Sequence, residues 1–323
     1  MPYDRETFRR VMSTYSEKAQ KAFNDAELKK AELHNKFPLL KKMDDEISRL
    51  PLNILRESGL GSDGLQERLA KLKKEYDDLL SARAELLRTG GYPEDYTDIV
   101  YECKKCRDTG YDGINLCSCA KKLLTLESYK SSGMYRLITT QSFDNFSLDV
   151  YKSAEHKKHM STIFNNAKKY AREFNPDSSP SLFFAGDTGL GKTHISSAIA
   201  KEVIDKGYSV VYESAPGMMI QLEREHFGRG ASDNDITDRY LTCDLLIIDD
   251  LGAEYITKIN IGFLYNIVNT RILNGLPMIV STNLDYTELE KRYERRMSSR
   301  FMGEFLVYPF RGEDMRYSGL LKK

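Results

Sequence analysis

The run Gly186-Asp187-Thr188-Gly189-Leu190-Gly191-Lys192-Thr193 limits this chain more than any other feature, because it fits the pattern G-x-x-x-x-G-K-[ST] without a mismatch. It follows the apolar run Leu182-Phe183-Phe184-Ala185, read as a strand, and precedes residues 194–206, read as a helix. A glycine-rich turn arising by chance has no reason to sit between a strand and a helix. In that setting the glycines let the backbone curl until successive N–H groups face phosphate oxygens, and the helix amino terminus adds its partial positive charge. Lys192 is then expected to reach the β- and γ-phosphates of a nucleotide, and the Thr193 hydroxyl to hold magnesium.

A second run completes the pattern. Leu245-Leu246-Ile247-Ile248 reads as a buried central strand, and Asp249 and Asp250 emerge at its carboxyl end, where ligands of open parallel sheets bind. Paired acids after a strand often do no more than cap a turn, but the glycine-rich loop upstream favours a metal role. Asp249 is expected in the magnesium shell, and Asp250 is expected to polarise an attacking water. An aspartate there is shorter than a glutamate, which weakens Asp250 as a base. Met278-Ile279-Val280-Ser281-Thr282 is a further apolar strand ending at Asn283, a residue able to touch the γ-phosphate and the water together. By itself, asparagine after a strand is an ordinary turn residue.

Strands are expected at 182–185, 209–212, 245–249, 278–282 and 305–308, with helices between them, for example at 194–206 and 259–274. Strand–helix alternation with continuously apolar strands argues an α/β fold, a parallel sheet covered by helices on both faces. At 323 residues the chain is long enough for a second folded unit. Residues 1 to 90 are charged and glycine-poor. One helix is expected from 4 towards 35, with Phe8, Met12, Tyr15, Ala19, Ala22 and Ala26 in steps of four and three, and Pro38 and Pro51 punctuate a shorter one. After Gly61-Ser62-Asp63-Gly64, the seam Leu65, Leu69, Leu72, Tyr76, Leu79 and Leu86 suggests another long helix. Arg83 is its one polar break, and Gly90-Gly91 ends it. This pattern suits a helical hairpin closing on itself and a partner-binding helix pair equally well.

Cys103-x-x-Cys106 and Cys117-x-Cys119 bring four thiols into one short segment, with a helix expected from 120 to 131 behind them. A first pair two residues apart is a familiar zinc knuckle, while the second spacing is less usual. Gly110 and Gly113 permit the tight return between them. Zinc is the expected ion, with an iron–sulfur cluster or redox thiols as alternatives. No water-activating residue accompanies the cluster, so it reads as closed and structural. Cys243 reads as a small buried hydrophobe. Such thiols suit a reducing compartment better than a disulfide framework. The start Met1-Pro2-Tyr3-Asp4-Arg5-Glu6 has no apolar signal region, and no long uncharged apolar run follows, so a cytoplasmic protein with no membrane span is expected. Lys plus Arg and Asp plus Glu balance at 48 each, so any nucleic-acid surface has to be a local basic patch. The run 291–301 is one, though charge runs are usually solvated helix faces.

With Ser142-Phe143-Asp144-Asn145-Phe146 ahead of the core, Leu246-Ile247-Ile248-Asp249-Asp250-Leu251-Gly252, Ser281-Thr282-Asn283, Ser298-Ser299-Arg300-Phe301 and the closing Gly312-Glu313-Asp314-Met315-Arg316, the chain resembles the DnaC/DnaI helicase-loader branch of the AAA+ ATPases. IstB-like transposition ATPases are close relatives of that branch, and the likeness covers about residues 140 to 318. With the residue reading above, the chain is expected to divide into a helical, partner-binding arm over 1–95, a cysteine-rich zinc module and linker helix over 96–135, and an AAA+ domain over 140–323. No helical lid is expected, since little chain follows Arg316. The likeness further implies ATP, Mg2+ and Zn2+ as cofactors, slow switch-like hydrolysis, self-association through the ATP sites, and a replicative ring helicase and single-stranded DNA as partners. Asn283 resembles the first sensor, Arg300 the arginine finger offered to a neighbouring subunit, Arg296 its companion one turn earlier, and Arg316 a second, cis-acting sensor. The stretch 216–241 resembles the inserted helices that contact DNA, with Arg224, Arg229 and Arg239 as phosphate contacts. A transposition helper is the alternative. A small-molecule kinase is disfavoured, since it has no use for Ser299-Arg300-Phe301.

Overall fold

The computed structural model describes residues 3, 5–58, 65–129, 133–228, 236–312 and 314. The chain divides into two compact units, one of Thr14–Thr109 and one of Met1–Ser13 with Gly110–Lys323.

The smaller unit is helical. It takes in most of α1 (Arg5–Lys36), α2 (Pro38–Ser58) and α3 (Leu65–Thr89). Pro38 opens α2, where a missing N–H costs nothing, and Pro51 lies inside the helix instead of ending it. Gly91, at φ 80°, turns the chain out of α3, and Tyr92 N–H closes the cap on Leu87 O at 2.9 Å. The described seam side chains Leu69, Leu72, Tyr76, Leu79 and Leu86 are half-buried, and α3 packs on α2. The small core is Leu33, Leu40 and Leu87, covered by Phe37, Tyr92 and Tyr96. Arg83, the break in the seam, has a partner of its own. Its Nε donates to Asp44 Oδ1 at 2.7 Å and its Nη2 to Thr97 Oγ1 at 2.7 Å, while His34 Nε2 lies 2.7 Å from the other Asp44 oxygen. The polar residue interrupts the stripe because it bonds across the hairpin. The glycine pair at 61 and 64 lies outside the described residues.

In the larger unit, after the two-stranded hairpin β1 (Tyr111–Asp112) and β2 (Asn115–Leu116), come α4 (Ser118–Tyr129), α5 (Gly133–Thr140) and α6 (Ala154–Glu173). The core then alternates β3 (Ser181–Ala185), α7 (Lys192–Asp205), β4 (Val210–Ser214), α8 (Ala215–Phe227), α9 (Ile236–Thr242), β5 (Leu245–Leu251), α10 (Lys258–Leu273), β6 (Met278–Thr282), α11 (Tyr286–Glu304) and β7 (Phe305–Pro309). The five strands β3 to β7 form one parallel sheet in the order β4-β5-β6-β3-β7. Successive strand residues serve opposite cores. Leu182, Phe184, Tyr212, Ile247 and Ile279 face α6 and α7, whereas Phe183, Val211, Leu246, Ile248 and Val280 face α8, α10 and α11. Both faces are apolar, so the strands read as unbroken hydrophobic runs. The fold is the expected helix-flanked parallel sheet. The β1–β2 hairpin was not foreseen, because strands of two residues show no period.

Tyr129, at the end of α4, is buried, and its hydroxyl caps the edge strand. It donates to Val210 O at 2.9 Å and accepts from Tyr212 N–H. Tyr129→Phe leaves a buried donor and a buried acceptor unpaired and is expected to cost about 2 kcal/mol. Denaturant titration of the purified chain checks this, and a loss of only a few tenths would mean that water reaches the strand edge.

Candidate nucleotide site and cysteine cluster

The carboxyl ends of β3, β5 and β6 meet at the glycine-rich loop. Gly186 has φ 144°, and a Cβ there would lie 2.3 Å from Phe310 O, so the loop is seated against the chain leaving β7. Gly191, at φ 91°, forms the N-cap of α7 and aims the helix amino terminus at the loop. Lys192 follows at once. Its side chain is buried and its ammonium donates to Gly186 O at 2.5 Å and Asp187 O at 2.8 Å. A cavity of about 490 Å³ opens over the loop, lined by Lys192, Thr193, Asp249, Asp250 and Asn283, with Met134, Leu137 and Gln141 also lining it. The sequence-expected residues Thr188 to Thr193, both acids and Asn283 therefore share one cavity. The cavity thus combines backbone donors, an ammonium, a hydroxyl and carboxylates, the groups of a magnesium–phosphate site.

The two acids are set apart by the backbone. β5 runs on to Leu251, through both aspartates, and its register with β6 skips between Ile248 and Leu251. Such an irregularity re-aims side chains at a sheet end. Asp249 is buried and Asp250 exposed, and Asp250 holds a left-handed backbone at φ 54°. Asp249 Oδ2 accepts from the Tyr212 hydroxyl at 2.9 Å and Oδ1 from the Ser281 hydroxyl. Ser281 Oγ in turn accepts from Asp250 N–H at 3.0 Å. Burial, and then the Asp249 charge, hold the Tyr212 phenol well above its ordinary range, so it remains a donor. Sequence reasoning missed Tyr212 and Ser281, because a tyrosine and a serine inside apolar strands look like core.

The basic run lies on α11. Leu289, Tyr293, Met297 and Phe301 are buried at four-residue steps, leaving Arg296 exposed and Arg300 half-exposed, with its Nη1 3.7 Å from Glu304. The helix breaks at Glu294, whose φ is 64°. Just before the break, Tyr293 donates to the buried Glu254 carboxylate and Arg292 Nη2 to Glu254 O at 2.6 Å. Neither Arg296 nor Arg300 lines the cavity of its own chain. Arg316 and Arg229 lie outside the described residues. Arg224 is exposed on α8, and Arg239 is half-buried near Glu213 and Tyr129.

The sulfurs of Cys103, Cys106, Cys117 and Cys119 all lie within 4.8 Å of one another. Four thiolates in tetrahedral array about zinc stand about 3.8 Å apart, so the cluster fits such an ion. Asp108 orders the first knuckle. It is buried, at φ 56°, and its two oxygens accept the N–H groups of Glu102 and Cys103 at 2.8 Å each. The hairpin β1–β2 returns the chain to Cys117, and Cys119 lies in the first turn of α4. Nothing in the sequence marked Asp108. Cys243 is buried beside Arg271, and burial pushes its thiol up, consistent with a core residue.

Residues 173–302 match the family model of IstB-like ATP binding protein. The chain is also similar to the replicative helicase loader DnaC of Escherichia coli K12, 26% identical over 190 residues, which are 58% of this chain and 74% of that protein. Against DnaC of Buchnera aphidicola subsp. Baizongia pistaciae the identity is 28% over 191 residues, 57% and 73% of the two chains. Among solved structures, the DnaC helicase loader matches 54% of this chain and 98% of its own at 19% identity and a TM-score of 0.46. DnaI matches 56% and 93% at 22% identity and a TM-score of 0.44. The IstB-like segment spans β3, β5 and β6 and thus holds the glycine-rich loop, both acids and Asn283. Among the described residues no helix is long and apolar enough to cross a membrane.

Proposed function

We propose that this chain is a cytoplasmic, ATP-dependent loader of a replicative ring helicase. The single observation that carries the reading is the gathering of Lys192, Thr193, Asp249, Asp250 and Asn283 around one cavity, in a chain similar to DnaC. In this reading the backbone from Gly186 to Gly191, with Asp187, Thr188, Gly189 and Leu190 between, wraps the phosphates of ATP. Lys192 neutralises the β- and γ-phosphates. Thr193 and Asp249 hold magnesium, which screens the phosphate charge. Asp250 and Asn283 orient the attacking water. Arg300, with Arg296 beside it, completes the site of a neighbouring subunit, so hydrolysis and self-association are linked. Arg316 has the place in the sequence of a second sensor. Turnover is slow, because ATP serves as a switch between subunit arrangements. The helical arm and a zinc-bearing cysteine module engage the helicase, and the AAA+ unit holds single-stranded DNA when ATP joins subunits.

The IstB-like family match favours a second reading, a transposition helper ATPase that coats DNA and recruits a transposase. Titrating the full chain against the ring helicase from the same genome, and against a labelled single-stranded oligonucleotide, separates the two. A loader is expected to bind the helicase with or without nucleotide. Its oligonucleotide binding is expected only with ATP, falling steeply with salt as phosphate contacts release counterions. Absence of helicase binding, together with nucleotide-dependent coating of duplex DNA, would favour the transposition reading.

A further inference from the structure

We infer that Tyr212 and Ser281 are positioning residues of the magnesium site, two hydroxyls that hold the Asp249 carboxylate from its buried side. The inference rests on the reading of the cavity as an ATP–magnesium site and adds the groups that set its metal requirement.

The geometry is that of a clamp. A carboxylate oxygen offers two lone-pair sites. Asp249 gives one from each oxygen to a buried hydroxyl, Oδ2 to Tyr212 and Oδ1 to Ser281. One site on each oxygen remains for the cavity side, where Thr193 stands. With a donor on each oxygen, the carboxyl group cannot rotate about its Cβ–Cγ bond without breaking a charge-assisted bond in a dry setting.

The clamp is itself anchored. Tyr212 is fully buried, and its backbone N–H is tied to Tyr129. Its hydroxyl also stands 3.4 Å from Thr193 O and from Ser197 Oγ, both on α7. One phenol therefore lies between the strand carrying Asp249 and the first turn carrying Thr193, the two groups that face magnesium. Ser281 joins the neighbouring acid, since it accepts from Asp250 N–H while donating to Asp249. Neither residue lines the cavity, so neither touches nucleotide. Both act through Asp249.

Tyr212→Phe removes one hydroxyl and preserves the ring in its pocket. Affinity for ATP without divalent metal is expected to stay within about twofold, while the Mg2+ concentration for half-maximal hydrolysis rises about tenfold. Ser281→Ala is expected to raise it similarly and also to lower kcat, since it releases the Asp250 backbone. A merely structural role would instead lower the Tm and nucleotide affinity together and leave the Mg2+ requirement where it was. The experiment measures ATP affinity with and without Mg2+, Mg2+ titrations of hydrolysis, and Tm for the wild-type chain and both variants. An unchanged Mg2+ half-saturation in Tyr212→Phe overturns the inference while leaving the ATP reading intact. Where Tyr212→Phe fails to fold, an unchanged half-saturation in Ser281→Ala overturns it. A wild-type chain that binds no ATP even with Mg2+ overturns the underlying reading and the inference with it.

Discussion

Lys192→Ala is expected to abolish ATP binding, whereas Arg300→Ala is expected to leave binding within about twofold and reduce hydrolysis about a hundredfold or more. The difference follows from where the two cations stand. Lys192 is buried at the start of α7, with its ammonium held over the loop by Gly186 O and Asp187 O, where phosphate charge has to be met. Removing it leaves the oxygens of two phosphates facing each other with magnesium alone. Arg300 lies outside its own cavity, with a long, partly exposed contact to Glu304 at 3.7 Å, an arrangement worth little to the fold. It is thus available to a neighbour, where a donated guanidinium stabilises charge that develops only in the transition state. Nucleotide-binding titrations and steady-state hydrolysis of both variants check this. Mixing them adds a sharper test. Lys192→Ala still offers an intact Arg300, so it should restore part of the hydrolysis of Arg300→Ala. If Arg300→Ala weakened binding as much as Lys192→Ala, or if mixing restored nothing, action across subunits would be wrong.

The candidate nucleotide site was legible in the sequence because the chemistry expected of it demands fixed spacing. A backbone that curls around phosphate needs glycines at set positions, and a strand buried on both faces has to be apolar throughout, so Leu182 to Thr193 and Leu245 to Asp250 could be read directly. The same logic explains what escaped. Tyr212 reaches Asp249 across two neighbouring strands, a contact set by sheet order that no local pattern encodes. The seam on α3 was visible as a period of four and three, but a period does not say which surface meets it. Its breaking residue answers that in part, since Arg83 spans to Asp44 on α2 and Thr97. Asp108 bonds backbone N–H groups of the knuckle beside it, and such groups leave no trace in residue type.

The purified chain is expected to carry one zinc ion, and Cys103→Ser is expected to lose it and unfold the segment around the cluster. Four sulfurs within 4.8 Å of one another favour a shared cation, since one ion can bind all four at once as thiolates and release their protons. The two strands of the segment's hairpin are two residues each, and Ile114 at the turn is 96% exposed, so the hairpin buries little apolar surface. Structural zinc supplies of order 10 kcal/mol in modules of this size, which is why its loss removes the local fold instead of merely loosening it. The effect should travel along α4, which begins beside Cys117 and ends at Tyr129, the residue that caps Val210 and Tyr212 on the edge strand. Loss of the ion is therefore expected to lower the Tm of the larger unit as well as to open residues 103–119 to protease. Elemental analysis, limited proteolysis and thermal melting of the wild-type chain, Cys103→Ser and Cys243→Ser measure these effects. Cys243→Ser is the control, because Cys243 packs against Arg271 away from the cluster and its loss should leave the zinc content unchanged. Iron with visible absorbance in place of zinc would reassign the cluster, and a wild-type chain without any metal would remove its structural role.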